Sequence, residues 1–152
     1  MAKFIFRLQN VLDVKLKLES QAKTAFSMAA AKVNEEEEKL EQLFARRAEL
    51  EAEYRRKSTG KLNIHEMKFA RDNVEYIKGQ IKIQQENLMK ARRALEIART
   101  QLNDAMKDRK IYEKLKENAF QEFLREENEN EKKEIDQLVS FRFNGNGKAG
   151  AN

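Results

Sequence analysis

Residues 67–102 read MKFARDNVEYIKGQIKIQQENLMKARRALEIARTQL, and every seventh position from the first is apolar: Met67, Val74, Ile81, Leu88, Leu95 and Leu102. An unbroken run at one heptad position marks an amphipathic helix that packs against another helix through a narrow seam. The position three residues on holds Ala70, Ile77, Gln84, Ala91, Ala98 and Ala105, so small side chains lie beside the large ones and predict close approach of the partner helix. The phase continues through Arg109, Lys116 and Phe123, with Tyr112 and Ala119 at the companion position.

Upstream, a looser version of the pattern places Leu12, Phe26, Val33, Leu40 and Tyr54 at one heptad position, interrupted by Glu19 and Arg47. Its companion position carries Ala22, Ala29, Leu43 and Leu50, interrupted by Lys15 and Glu36. The interruptions predict a seam that changes face along the first helix. No proline occurs anywhere in the 152 residues, and stop and start signals coincide only around residues 58–63. Arg55, Arg56 and Lys57 suit a helix C-terminus, Gly60 supplies a left-handed residue beyond it, and Asn63 with Glu66 has the spacing of a capping box. The pattern therefore predicts helices over about residues 3–57 and 64–141, the first about 80 Å and the second about 115 Å long. A connection this short makes the helices antiparallel neighbours, with paired residue numbers that sum to about 120. Leu8 is then expected near Tyr112, and the second helix should lack a partner beyond about residue 118. The expected fold is all-α: a long antiparallel two-helix coiled-coil hairpin over residues 1–143 with an overhanging C-terminal helix. A disordered glycine-rich tail is expected over residues 144–152.

Composition agrees with a seam rather than a globular core. Charged residues make up 38% of the chain and apolar ones 40%, with five glycines and no cysteine or tryptophan. Without cysteine there are no disulfides, thiolate metal sites or thiol nucleophiles, which fits a reducing compartment. Asn10, Asp13 and Lys15 interrupt the apolar start, so no signal-peptide region is predicted, and no stretch approaches the roughly 20 apolar residues that span a bilayer. A soluble, cytoplasmic protein is the expectation.

Catalytic signals are lacking. His65 is the sole histidine and falls at the turn, where a solvent-facing polar role is expected. No phosphate-binding glycine loop or Ser/His/Asp set is present, and the consecutive glutamates 35–38 point in different directions around a helix, so they cannot converge on one ion. Neither enzyme activity, cofactor nor metal is predicted. The net charge of +5 gathers in the middle of the second helix, where a nucleic-acid-binding coiled coil is one reading and pairing with the acidic first helix another. Two apolar features point to partners. Phe120, Phe123, Leu124, Ile135, Leu138, Val139, Phe141 and Phe143 lie on the overhang, and Phe69, Tyr76 and Ile83 recur at heptad spacing two positions past the seam. Phe44, next to seam residue Leu43, is expected to extend that second patch, with a broadened core as the alternative.

The opening Phe4-x-Phe6-x-Leu8-x-x-Val11-Leu12-x-x-Lys15, the turn Leu62-Asn63-Ile64-x-Glu66, the stretch Ala105-Met106-Lys107-x-Arg109-Lys110-x-x-Glu113-Lys114-Leu115-Lys116 and the ending Ser140-Phe141-Arg142-Phe143 together resemble the flagellar FliJ family, over nearly all of residues 1–143. Asn63-Ile64-His65 departs from the serine cap and acidic residue more usual there, and the glycine-rich tail lies outside the resemblance. The resemblance implies a small component of the flagellar type III export apparatus, similar to the central stalk of rotary ATPases. It also implies that the paired end enters the hexameric export ATPase FliI and promotes its activity, that the rod engages the export-gate protein FlhA, and that it escorts export chaperones. Such a protein would work at the cytoplasmic face of the membrane at the flagellar base, in the service of motility and chemotaxis. Candidate ring contacts are Phe4, Phe6, Arg7, Phe123, Arg125, Phe141 and Phe143; candidate gate contacts are Phe44, Phe69, Tyr76 and Ile83. A corresponding rod of a virulence secretion system or a rotary ATPase, and a nucleic-acid-binding coiled coil, are the other readings.

Overall fold

Helix α1 spans Gln9–Ser58 and helix α2 spans Ile64–Ala149, and the two pack against each other in an all-α hairpin. The structure is a computed structural model and describes residues 2–61 and 63–149, with side chains described to residue 145. The helical bounds of α2 continue into the segment expected to be a disordered tail, through Ala149; residues 150–152 lie outside the described ones. Contacts divide the chain into two units, one made of Met1–Leu18 with Met106–Asn152 and the other of Glu19–Ala105.

The unit Glu19–Ala105 contains the turn. Gly60 adopts φ 86°, the left-handed conformation expected just past the end of α1. Ser58 Oγ donates to the Tyr54 carbonyl at 2.8 Å and Thr59 Oγ1 to the Arg55 carbonyl at 3.2 Å, which satisfies acceptors that the helix end leaves open. Asn63 caps α2: its Oδ1 accepts from the backbone N–H groups of His65 at 3.1 Å and Glu66 at 3.4 Å. The Glu66 carboxylate takes Lys57 Nζ across the turn at 3.2 Å.

In this unit the heptad positions of α2 are its buried face. Ala70, Val74, Ile77, Ile81, Gln84, Leu88, Ala91 and Ala98 are all buried. Val33, Leu88 and Ala91 form a cluster with Leu40 and Leu95 packed against it. On α1 the seam does not change face. Glu19 and Glu36, expected as interruptions, are buried at their heptad positions, and Arg47 is half-buried at its own. A polar side chain stays in the seam when its hydrogen bonds are met there. Glu36 illustrates this. Gln84 Nε2 donates to its backbone carbonyl at 3.0 Å and also to its carboxylate, while Lys32 Nζ lies 2.9 Å from that carboxylate.

The ammonium of Lys32 and the amide of Gln84 hold the Glu36 carboxyl below its ordinary value of 4.5, against the opposing effect of burial. A carboxyl whose value is lower folded than unfolded contributes stability above its unfolded value, and loses it as pH falls through the folded one. Glu36→Gln is therefore expected to flatten the acid side of the stability profile. Urea melts followed by circular dichroism from about pH 6 to about pH 3 check this, and an unchanged acid slope would show that other carboxylates set it.

The other unit differs from expectation at the start of α1, which begins at Gln9 rather than near residue 3. Residues 2–6 are non-helical and lead through a turn at Arg7 and Leu8 into the helix, where Gln9 N–H donates to the Phe6 carbonyl at 3.1 Å. Within this unit Leu12 is buried, and Lys15 Nζ lies 3.5 Å from Asp108 and 5.7 Å from the centre of the Tyr112 ring. Leu8 shares a cleft with Leu115 and Ala119 rather than with Tyr112. The expected pairing is a few residues short because the connection between Ser58 and Ile64 is centred on Lys61, and each residue by which a turn moves shifts the pairing by two.

Candidate functional site

Aromatic rings gather where residues 2–8 meet α2. The Phe4 ring lies edge-on to Phe120, with centroids 5.2 Å apart, and tilted against Phe123 at 5.5 Å. These are favourable ring arrangements, and they account for the extended N-terminal segment: a helix begun at residue 3 would carry Phe4 along its own axis instead of across to α2. The overhang expected beyond residue 118 is thus met at Phe120 and Phe123 by an irregular segment rather than by a helix, which leaves Phe123 half-buried and Phe120 still exposed.

Phe4, Phe6, Arg7 and Phe123 line one open cleft of about 850 Å³, together with Leu8, Leu115 and Ala119. Lys3, Arg7, Glu122 and Glu126 line it as well, so charges of both signs accompany its apolar side chains. Arg125 does not line this cleft; its guanidinium is paired with Glu122 one turn back. Phe141 and Phe143 are 77% and 78% exposed, on a stretch of α2 whose described residues 128–145 are all exposed. Sequence reasoning therefore named two groups at this end. One is a preassembled cluster, and the other is exposed helix surface, where Ile135, Leu138 and Val139 are exposed too.

In the unit Glu19–Ala105 the aromatic stripe is on the surface. Phe69 is 69% and Tyr76 67% exposed, and Ile83 is also exposed, which removes the broadened-core alternative for these side chains. Ile97, fourteen residues past Ile83, lies on the same heptad line and is exposed too. Lys90 interrupts the line and hides Ile97 in the sequence, although the period itself points to it. Phe69 lines a cleft with Arg46, Leu50 and Glu53. Phe44 falls elsewhere. It lies seven residues past Glu37, whose carboxylate pairs with Arg92 at 3.3 Å on the opposite edge of the seam, so the expected single patch is two.

Replacing Phe69 and Tyr76 together by Ala is expected to change stability by less than about 1 kcal/mol, because neither ring is buried and Ala favours the helix. Thermal melts monitored by circular dichroism would check this, and a large drop would make the rings structural.

Much of the basic surplus of α2 is engaged within the chain. Arg92 pairs with Glu37, Arg99 reaches Glu96 and lies 6.0 Å from the Phe26 ring centre, and Arg109 pairs with Glu113 at 2.7 Å. His65 is exposed at the turn, and among the described residues no group of acidic, histidine or cysteine side chains is arranged to hold a metal ion. Among these residues no helix is long and apolar enough to cross a membrane.

The chain is thus an all-α hairpin with exposed aromatic side chains on charged helices. The chain matches the family described as flagellar FliJ protein over residues 4–148, and it belongs to that family. Membership makes it a component of type III export. Among solved structures, one described as a YscO homologue from Chlamydia trachomatis shares the fold with a TM-score of 0.76 and 22% identity, covering 91% of this chain and 94% of that one. The sequence matches none of the curated proteins compared with it.

Proposed function

We propose that this chain acts as a stalk-like binding partner of the hexameric export ATPase FliI, stimulates it, touches the export gate FlhA through a second surface and escorts export chaperones, without catalysis of its own. The observation that carries the reading is the ring cluster of Phe4, Phe120 and Phe123 beside a charged cleft, in a chain that belongs to the flagellar FliJ family. A preformed aromatic cluster binds at low entropic cost, because its side chains are already ordered. A rod that prefers the assembled ring over free subunits shifts the ATPase toward the hexamer by that difference in affinity. On this reading Phe4, Phe6, Arg7 and Phe123 make the central contacts, and Arg125, Phe141 and Phe143 extend them along α2. The exposed Phe69, Tyr76 and Ile83 form the surface proposed for the gate, with Phe44 a separate contact on the other edge. Such a protein would work in the cytoplasm against the membrane-bound export apparatus.

The internal pairing of Arg92, Arg99 and Arg109 supports a protein partner over nucleic acid, since those cations are already partly neutralised. Adding the purified chain to the export ATPase is expected to raise its turnover and its hexamer fraction in sedimentation. Unchanged turnover and assembly, with DNA binding that survives about 150 mM salt, would replace this reading with a nucleic-acid one. In the same preparation the Phe69→Ala and Tyr76→Ala pair should weaken gate binding and leave ATPase stimulation intact.

A further inference from the structure

In the seam of the unit Glu19–Ala105, buried polar side chains meet across the two helices at Glu36 and Gln84. Glu36 lies between Val33 and Leu40 on α1, and Gln84 between Ile81 and Leu88 on α2; both are more than nine-tenths buried. The Gln84 amide donates to the Glu36 carbonyl and to its carboxylate, and its own oxygen accepts from Asn87 at 3.4 Å. We propose that the Glu36–Gln84 layer selects the pairing register of this unit, and excludes a second register, displaced by one heptad, that the apolar seam alone would accept.

A heptad repeat is degenerate under displacement by seven residues. Val33 now packs on Leu88 and Ala91; one heptad earlier on α2 it would meet Ile81 and Gln84, and Leu40 would similarly exchange one apolar layer for another. The small buried residues Ala70, Ala91 and Ala98 offer little steric resistance to such exchange. The polar layer does not exchange. Displaced by a heptad, Glu36 would face Ile77, and Gln84 would face Ala29 or Val33, so a buried carboxylate and a buried amide would both lose their partners. Lys32 and Lys39, which also contact Glu36 at 2.9 Å and 3.8 Å, sit on the same helix and move with it, so they stabilise the charge equally in either register. Gln84 is the buried partner that displacement removes; the pair of Arg92 with Glu37 would be lost as well, but an exposed ion pair contributes little. The turn is a competing lock, but not an exclusive one: Ser58 and Thr59 are residue types that cap a helix started a few residues before Asn63.

The chain has no cysteine, which permits a direct test. Cysteines introduced at exposed Glu41 and Thr100 carry nitroxide labels offset by roughly 27 Å along the helices, so a slip of one heptad lengthens the distance by about 10 Å. With Glu36 and Gln84 present, pulsed dipolar spectroscopy should show one distance. Glu36→Leu with Gln84→Leu should keep full helicity and melt no lower, yet add a second population about 10 Å longer. The exchanged pair, Glu36→Gln with Gln84→Glu, should restore the single distance. A single unshifted distance in the fully helical double-Leu variant would overturn the proposal and leave register to the turn and to exposed pairs such as Arg92 with Glu37. A second distance that persists in the exchanged pair would equally overturn it.

Discussion

Leu88→Ala is expected to destabilise the unit Glu19–Ala105 by about 2–4 kcal/mol, the cost of removing a buried leucine whose surroundings cannot collapse fully. Leu88 is 6% exposed and sits with Val33 and Ala91 at the centre of the core cluster, with Leu40 and Leu95 against it. A two-helix seam has few layers, and each large residue covers the small one opposite it. Val33, Leu40 and Leu95 are held by their own helices, so they fill the vacated space only in part. A loss of this size is a large fraction of the stability of a small unit and should lower its melting temperature by roughly 10 °C. Urea denaturation followed by circular dichroism measures it. Leu102→Ala makes a useful contrast, because Leu102 is only half-buried and should cost less. Equal losses at the two sites would show that burial at the seam is not what ranks these positions.

Phe4→Ala should release residues 2–8 from α2 while leaving the unit Glu19–Ala105 unchanged. Phe4 makes ring contacts with both Phe120 and Phe123, and each such contact contributes about 0.5–1.5 kcal/mol beyond the apolar area it buries. A combined loss of about 2–3 kcal/mol is enough to undock a short irregular segment, which has little secondary structure to hold it. Amide hydrogen exchange is the sensitive measurement. The N–H groups of Gln9 and Leu12, which donate to the carbonyls of Phe6 and Leu8, should exchange roughly thirtyfold faster if that local stability falls by about 2 kcal/mol. On the proposed function the same variant should also lose most of its stimulation of the ATPase. Release of the segment with stimulation intact would remove the cluster from the ring contact and leave its structural role standing. Phe123→Ala combined with Phe4→Ala should cost less than the sum of the two, since each truncation removes the same contact.

Heptad periodicity identified the buried face of α2 from Met67 to Leu102 and the stripe of Phe69, Tyr76 and Ile83 that points away from the seam, while helix stop and start residues identified the turn with its Gly60 and Asn63 devices. Family membership, too, was legible in residues at the two ends, at the turn and in the stretch 105–116. These properties depend on the order of residue types along one helix, and a helix of fixed pitch converts that order directly into faces. What lies opposite a face is a different matter. Glu19 and Glu36 look like breaks in a pattern until the facing helix is in place; for Glu36 the buried donor is Gln84, forty-eight residues on. Phe4 belongs to a run that reads as helical, and only the rings of Phe120 and Phe123 make an extended segment the better arrangement. Phe44 looked like a neighbour of Phe69 because both flank the seam near the turn, and only the pairing of Glu37 with Arg92 shows which edge is which. Sequence by itself determined the helices and the face each one buries, because these follow from local geometry. Tertiary structure decided the register, the polar layer and the assembled aromatic end, because each depends on contacts between residues far apart in the chain.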